Sequence, residues 1–238
     1  MLTLIAQPDK RDWAAGPALG IDYREHLEQG IAGLRIGYSP TLGYAKVDPE
    51  VARLVAQAVN EFTQLGAKIE DIDLKLADPI EIMQPLWAVA LALAVAPMTP
   101  AQRVLCDPGM LELAEPGFAL SALEYRRLER ARDAFGRRML SLHDQYDLLV
   151  TPQLATTAFA VSHEVPPDSG MKRWWQWSPF TYPFNLTQQP AATVPCGFAA
   201  NGLPVAMQVV GAKFADALVL RAARAYEKAH PFVLPKVT

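Results

Sequence analysis

Residues 33–74 read GLRIGYSPTLGYAKVDPEVARLVAQAVNEFTQLGAKIEDIDL, and this stretch decides the fold. Residues 33–38 have the pattern of a short strand, and residues 67–74 form a second strand pattern. Between them, Asp48 followed by Pro49 is an N-cap with proline at the first helical position, and apolar residues then recur at helical spacing. Strand, helix and strand at this spacing predict a right-handed βαβ crossover with two parallel strands.

Helix signals flank this unit on both sides. Upstream, Asp22 and Glu25 have capping-box spacing, which predicts a short helix ending at Gly30. Downstream, Asp78-Pro79 opens an apolar helix over residues 80–97, in which Pro85 is expected to produce a kink or a break. This apolar stretch contains Glu81 and Gln84 and is shorter than the roughly 20 residues a bilayer crossing needs, so it indicates a buried helix and no membrane partner.

The remainder of the chain alternates between irregular and regular patterns. An irregular stretch with three prolines precedes a second capping box, Ser121 and Glu124, which opens a long helix to about His143. Residues 146–150 predict a strand that runs into Thr151-Pro152, and residues 153–177 show neither a helical nor a strand period. Residues 193–198 and 203–210 predict the two strands of a hairpin, and residues 214–229 predict a closing helix. The predicted fold class is α/β, a mixed β-sheet covered by helices, in a single domain over residues 1–238.

Composition excludes several classes of protein. The chain has 238 residues, 51% of them hydrophobic and 20% charged, so it can bury a sizeable core and is not disordered or fibrous. The net charge of −3 lacks the positive potential typical of nucleic-acid or anionic-membrane binders. Cys106 and Cys196 form no metal or disulfide motif, and residues 1–12 have no secretion-signal pattern, so we expect a cytoplasmic location.

Taken residue by residue, the sequence indicates no mechanism. The four histidines are scattered, so no metal site is expected, and no phosphate-binding loop or other cofactor motif is present. Ser162, His163 and Asp168 are too close in sequence to converge as a catalytic triad. The arginines of the long helix alternate with acidic residues, which favours a solvated face over a nucleic-acid surface. The tryptophans of residues 174–177 either line a pocket or pack under the long loop.

A longer motif carries a resemblance. Residues 180–198, FTYPFNLTQQPAATVPCGF, resemble the C-terminal hallmark of the amidase signature family, and residues 201–211 continue the match. The segments Arg11-Asp12-Trp13, 33–36, 47–51 and 147–152 also resemble family segments, in the family's order. The resemblance therefore covers nearly the whole chain.

The resemblance implies hydrolysis or transfer of carboxamides through an acyl-enzyme formed by a serine, with a second serine and a lysine as proton relay. The sequence contains neither a Ser-Ser nor a Gly-Gly pair, so no catalytic residue is carried over. We expect the C-terminal portion of an amidase that lacks the N-terminal catalytic part and is inactive alone. The alternative is a pseudoenzyme or partner subunit that binds an amide-like ligand or another chain. Without the N-terminal part of such a fold, a sheet edge would be unpaired and an apolar face uncovered. We therefore expect a homo-oligomer or a missing N-terminal partner segment.

What the resemblance assigns to this chain is the substrate-side wall. Gln188 stands where the family usually has glycine, so either a positive φ there costs about 1–2 kcal/mol or the side chain narrows the pocket. Ser178 stands where glutamine-handling amidotransferase subunits carry an acidic residue, which favours a general amidase of less polar amides. The candidate substrate-binding residues are Thr151, Pro152, Trp177, Phe180, Thr181, Asn185, Gln188 and Gln189.

Overall fold

The computed structural model describes residues 1–12, 15–17 and 19–234, so Trp13 of the Arg11-Asp12-Trp13 segment lies outside the described residues. The helices are α1 (Leu2–Ile5), α2 (Pro49–Gln64), α3 (Ile80–Val95), α4 (Pro100–Arg103), α5 (Pro108–Ala119), α6 (Ala122–Ser141), α7 (Tyr182–Thr187) and α8 (Asp216–Ala229). The strands are β1 (Arg35–Tyr38), β2 (Lys68–Asp71), β3 (Leu148–Pro152), β4 (Ala191–Phe198) and β5 (Pro204–Gly211). Short 3-10 turns occupy Leu142–Asp144 and Trp174–Gln176.

The strands form one mixed sheet in the order β2-β1-β3-β5-β4. β1 is parallel to β2 and β3, while β5 is antiparallel to β3 and β4. The predicted βαβ unit, the hairpin and the mixed sheet are confirmed. Asp48 caps α2 by accepting from the backbone N–H groups of Glu50 and Val51, as its cap-and-proline sequence predicts.

Helices cover both faces of the sheet. On one face, α2 and α8 pack through Phe62 and Tyr226 against strand residues such as Leu148 and Val150. On the other face, Leu149 packs with buried residues of α6, α7 and the neighbouring loops. Successive residues of β3 therefore serve opposite layers, because side chains alternate across a strand. The result is a layered α/β fold in which all five residues of β3 are buried.

The predicted helix over residues 22–30 is wrong. These residues form a series of turns, because His26 adopts a left-handed backbone with φ 63° that no continuous α-helix can include. The Asp22 carboxylate still accepts from the backbone N–H of Arg24, two residues on, which is an Asx turn and competes with a helix start.

Of the two effects expected of Pro85, a kink or a break, the break does not occur. α3 is one helix with Pro85 inside it, so the proline removes one backbone hydrogen bond without ending the helix. The stretch after it is not irregular: Pro100 and Pro108 each occupy the first position of a helix, behind capping Thr99 and Asp107. Within the described part of the chain, no helix combines the length and apolarity that crossing a membrane requires.

Candidate functional site

The hallmark segment folds into α7 and the edge strand β4. Several polar side chains of β3, β5 and the hallmark segment are buried. Thr151 in β3 and Gln208 in β5 face each other as register partners. The Gln208 side-chain amide donates to the backbone oxygen of Phe180 at 2.9 Å and to Thr151 Oγ1 at 3.3 Å. Thr151 Oγ1 in turn donates to the oxygen of Pro152. This buried network fixes the start of the hallmark segment to the centre of the sheet.

A second network holds the other end of α7. Gln189 Nε2 donates to His143 Nε2 at 2.9 Å and to the oxygen of Gly211 at 3.2 Å, and Gln189 Oε1 accepts from Thr187 at 2.8 Å. His143 Nδ1 lies 3.1 Å from the oxygen of Tyr146, so Nδ1 carries the proton and Nε2 accepts.

Burial lowers the pKa of His143, although the nearby Asp147 and Asp144 carboxylates oppose this shift. The neutral ring is therefore the form that fits this network.

Gln188 lies between Thr187 and Gln189 of the second network and has a left-handed backbone, with φ 57° and ψ 32°. Its side chain is exposed and accepts from Lys213 Nζ at 3.1 Å. The side chain lines none of the cavities described below. The positive φ of Gln188 therefore indicates backbone strain at this position, and the side chain narrows none of these cavities.

An apolar cavity of about 580 Å³ lies where β3 ends and β5 begins, and we call it the Trp177 cavity. In α/β sheets, ligands commonly bind beyond the carboxyl ends of the parallel strands, which is where this cavity is found. The Trp177 ring packs edge-on against Phe159, and its Nε1 donates to the oxygen of Glu164 at 2.8 Å. The cavity lining is Val51, Gln153, Leu154, Thr156, Thr157, Ala158, Phe159, Trp177, Thr193, Pro195, Pro204, Val205, Ala206 and Phe232.

A second cavity, of about 460 Å³, lies between α3, α6 and α7, and we call it the Asn185 cavity. Thr181 and Asn185 line it, together with Trp87 and Trp174, whose rings meet edge-on at 4.9 Å. The same tryptophan pair borders a third cavity, of about 620 Å³, under the long loop. Trp175 instead packs against the apolar cluster around Tyr182, so the aromatic segment both lines cavities and packs under the loop.

The predicted substrate-binding residues are thus divided among four environments. Trp177 lines the Trp177 cavity, and Thr181 and Asn185 line the Asn185 cavity. Gln188 is exposed at the end of α7. The buried remainder supports the sheet and the ends of α7: Thr151, Pro152, Phe180 and Gln189.

Neither metal chemistry nor a thiol nucleophile is evident at these cavities. Among residues 1–12, 15–17 and 19–234, no three His, Cys, Asp or Glu side chains converge in a way that could hold a metal ion. Burial raises the pKa of Cys196 to about 12, so this thiol stays protonated and unreactive near neutral pH.

Two residues that contribute to the site, Gln208 and Arg132, were not among the predicted substrate-binding residues. Gln208 interrupts the otherwise apolar β5 pattern, and an amide in such a run is a signal of a buried hydrogen-bond network. Arg132 follows Leu128 by four residues and so lies on the partly buried stripe of α6, where its Nε donates to the oxygen of Leu186 at 2.7 Å.

Comparisons with known proteins agree with this architecture. The sequence matches the amidase family over residues 1–220. The chain is 32% identical to the acylamidase of Rhodococcus erythropolis over 238 residues, covering 98% of the chain and 50% of the relative. It is 29% identical to a glutamyl-tRNA(Gln) amidotransferase subunit of Myxococcus xanthus (strain DK1622), covering 98% of the chain and 52% of the relative.

Solved structures give the same picture. A bacterial aryl acylamidase of the amidase signature enzymes superposes with a TM-score of 0.82 at 26% identity, over 94% of this chain and 49% of that one. The 6-aminohexanoate cyclic dimer hydrolase, at 19% identity, shares the fold with a TM-score of 0.83 over 97% of this chain and 53% of that one. The chain spans about half the length of the curated relatives it matches. On this evidence, the chain belongs to the amidase signature family.

Proposed function

We propose that this chain is the C-terminal, substrate-side portion of an amidase and takes part in carboxamide hydrolysis only together with a segment that supplies the catalytic serines and lysine. The observation that carries the proposal is the combination of a family match over residues 1–220 with half-length coverage of the relatives. The chain's own sequence has no Ser-Ser pair and no Gly-Gly pair. Its contribution is therefore binding and positioning rather than bond breaking.

The substrate class follows from the lining of the Trp177 cavity. Its wall is dominated by aliphatic and aromatic side chains, among them Phe159, Trp177 and Phe232, and none of the described residues that line it is charged. Apolar walls of this kind stabilise an apolar acyl or aryl group, while a few polar atoms orient the amide. Ser178, which is buried, replaces the acidic residue expected of glutamine-handling subunits. We propose a small apolar carboxamide, handled in the cytoplasm without a cofactor.

The open edge at β4 is where the catalytic segment would attach. The opposite edge, β2, carries Lys68, Glu70 and Asp71, and charges of this kind protect natural edge strands from pairing. β4 has the sequence AATVPCGF and no charge. Pro195 and the register irregularity between Pro195 and Gly197 interrupt this edge, so the part of β4 suited to pair with another strand through its backbone is residues 191–194.

The strand register shows which backbone groups β4 offers. Ala206 of β5 accepts from the backbone N–H of Gln153 on the β3 side, so its β4 partner Pro195 turns its backbone toward the open edge. Alternation along the strand directs Thr193 to the same edge, where its N–H is available for a ladder hydrogen bond. The occupant we propose is a strand of the Ser- and Lys-bearing half of an amidase.

Labelling with a fluorophosphonate probe tests this proposal. The purified chain should remain unlabelled, and a complex with the catalytic half of an acylamidase should be labelled on that half alone. Thr193→Pro, which removes an outward N–H from β4, should abolish co-purification, whereas Asp71→Pro on the β2 edge should leave it intact. Labelling of a serine in this chain would refute the proposal, and self-association through β4 without binding the catalytic half would favour a separate binding subunit.

A further inference from the structure

One wall of the Asn185 cavity is positive and can donate hydrogen bonds, because Arg132 and Asn185 line it. Arg132 uses its Nε to hold the oxygen of Leu186, and among the described residues neither of its terminal nitrogens has a hydrogen-bond or ion-pair partner. The side-chain amide of Asn185 likewise makes no hydrogen bond within the described part of the chain. Both side chains line the cavity, and no aspartate or glutamate of residues 1–12, 15–17 and 19–234 does.

The opposite wall of the cavity is aromatic. Trp87 in α3 remains 38% exposed, which is unusual for a tryptophan that already packs against Trp174. Met83 and Leu86 complete an apolar surface beside the two rings. Such a wall stabilises a flat ring by edge-on or offset stacking.

The two walls together select one class of ligand. A guanidinium held through Nε presents its remaining N–H groups in a rigid fork, which matches the two oxygens of a carboxylate better than the single oxygen of a neutral amide. The cavity volume of about 460 Å³ lies within the range of small-molecule sites. We infer that the Asn185 cavity is a binding site for aromatic monocarboxylates, held by Arg132 and Asn185 against the Trp87–Trp174 wall.

This inference rests on the proposed function for its biological meaning, because hydrolysis of an aromatic carboxamide releases an acid of this class. The binding itself needs no catalytic segment, so it is measurable on the chain alone.

Isothermal titration calorimetry with 3-phenylpropionate tests the site, and 3-phenylpropionamide is the neutral control of the same shape. The acid should bind with a Kd below about 1 mM and at least tenfold more tightly than the amide, with a change in tryptophan fluorescence. Arg132→Gln should weaken the acid at least tenfold and remove the preference. Arg130→Gln, an exposed position on the same helix that does not line the cavity, should leave binding unchanged.

Two further variants cover the case in which Arg132→Gln disturbs α7 by losing the bond to Leu186. Asn185→Ala and Trp87→Leu remove exposed side chains and should each weaken the acid several-fold while preserving the circular dichroism spectrum. Equal binding of acid and amide, the absence of acid binding at 10 mM, or unchanged binding in these variants would overturn the inference. Because no hydrolysis is measured, failure here leaves the proposed function to its own test.

Discussion

Replacing Gln188 with glycine should stabilise the protein, because the backbone there is left-handed with φ 57°. An L-residue in this region costs about 1–2 kcal/mol. Glycine removes that cost but gains about 0.5–1 kcal/mol of extra chain entropy in the unfolded state. The exposed hydrogen bond from Lys213 contributes little at the surface. We expect Gln188→Gly to raise the free energy of unfolding by about 0.5–1 kcal/mol.

Urea unfolding followed by tryptophan fluorescence measures this change, and thermal unfolding should shift upward by about 1–4 °C for a chain of this size. Gln188→Ala keeps the strain and removes the side chain, so it should remain within about 0.5 kcal/mol of the parent. Gln57→Gly makes the same chemical change in the interior of right-handed α2 and should destabilise by about 1 kcal/mol.

The comparison between Gln188→Gly and Gln188→Ala tests whether the backbone at position 188 is strained. If Gln188→Gly is no more stable than Gln188→Ala, the backbone at this position carries no strain. The reasoning that links the residue to a family glycine would then fail.

Two other predictions concern packing and pH. Gly117→Ala should destabilise by about 1–3 kcal/mol, because a Cβ there would clash with the backbone oxygen of Ala88 in α3. Gly136→Ala, where a Cβ meets nothing within 4 Å, should instead stabilise by about 1 kcal/mol; equal effects in urea unfolding would contradict the close α3–α5 contact. Because the pKa of His143 is lowered in the folded protein, this histidine takes up a proton at a higher pH in the unfolded chain than in the folded one. The free energy of unfolding should therefore fall as the pH drops below 6.5, by at most about 1.4 kcal/mol per pH unit. His143→Gln should make the free energy of unfolding depend less on pH. If the parent and the variant show the same dependence on pH, the His143 ring, which is hydrogen-bonded to Gln189, does not have a lowered pKa in the folded protein.

The sequence predicted those helices and strands that are stabilised by residues close to one another in the chain. The Asp48-Pro49 cap, the periodic apolar residues of α2 and the βαβ order were readable because capping and burial patterns act within a few residues. The predicted helix near Asp22 failed because its capping signal is shared with an Asx turn, and the left-handed His26 is not visible in a pattern.

The site was predictable only in part, because it depends on contacts between distant residues. Thr181 and Asn185 were singled out through the hallmark, and the structure places both on one cavity. Arg132 reaches the same cavity from a helix some 50 residues earlier, and its role follows from a bond to the oxygen of Leu186. Side-chain to backbone contacts over such separations leave no periodic trace in the sequence.

Arylamide hydrolysis by the purified chain, with and without the catalytic half of the Rhodococcus erythropolis acylamidase, tests the central claim most directly. If this chain provides binding walls and another segment provides the serines and lysine, the chain alone releases no arylamine and the assembled pair does. Hydrolysis by the chain alone, with a serine of its own labelled by a fluorophosphonate, would contradict the claim.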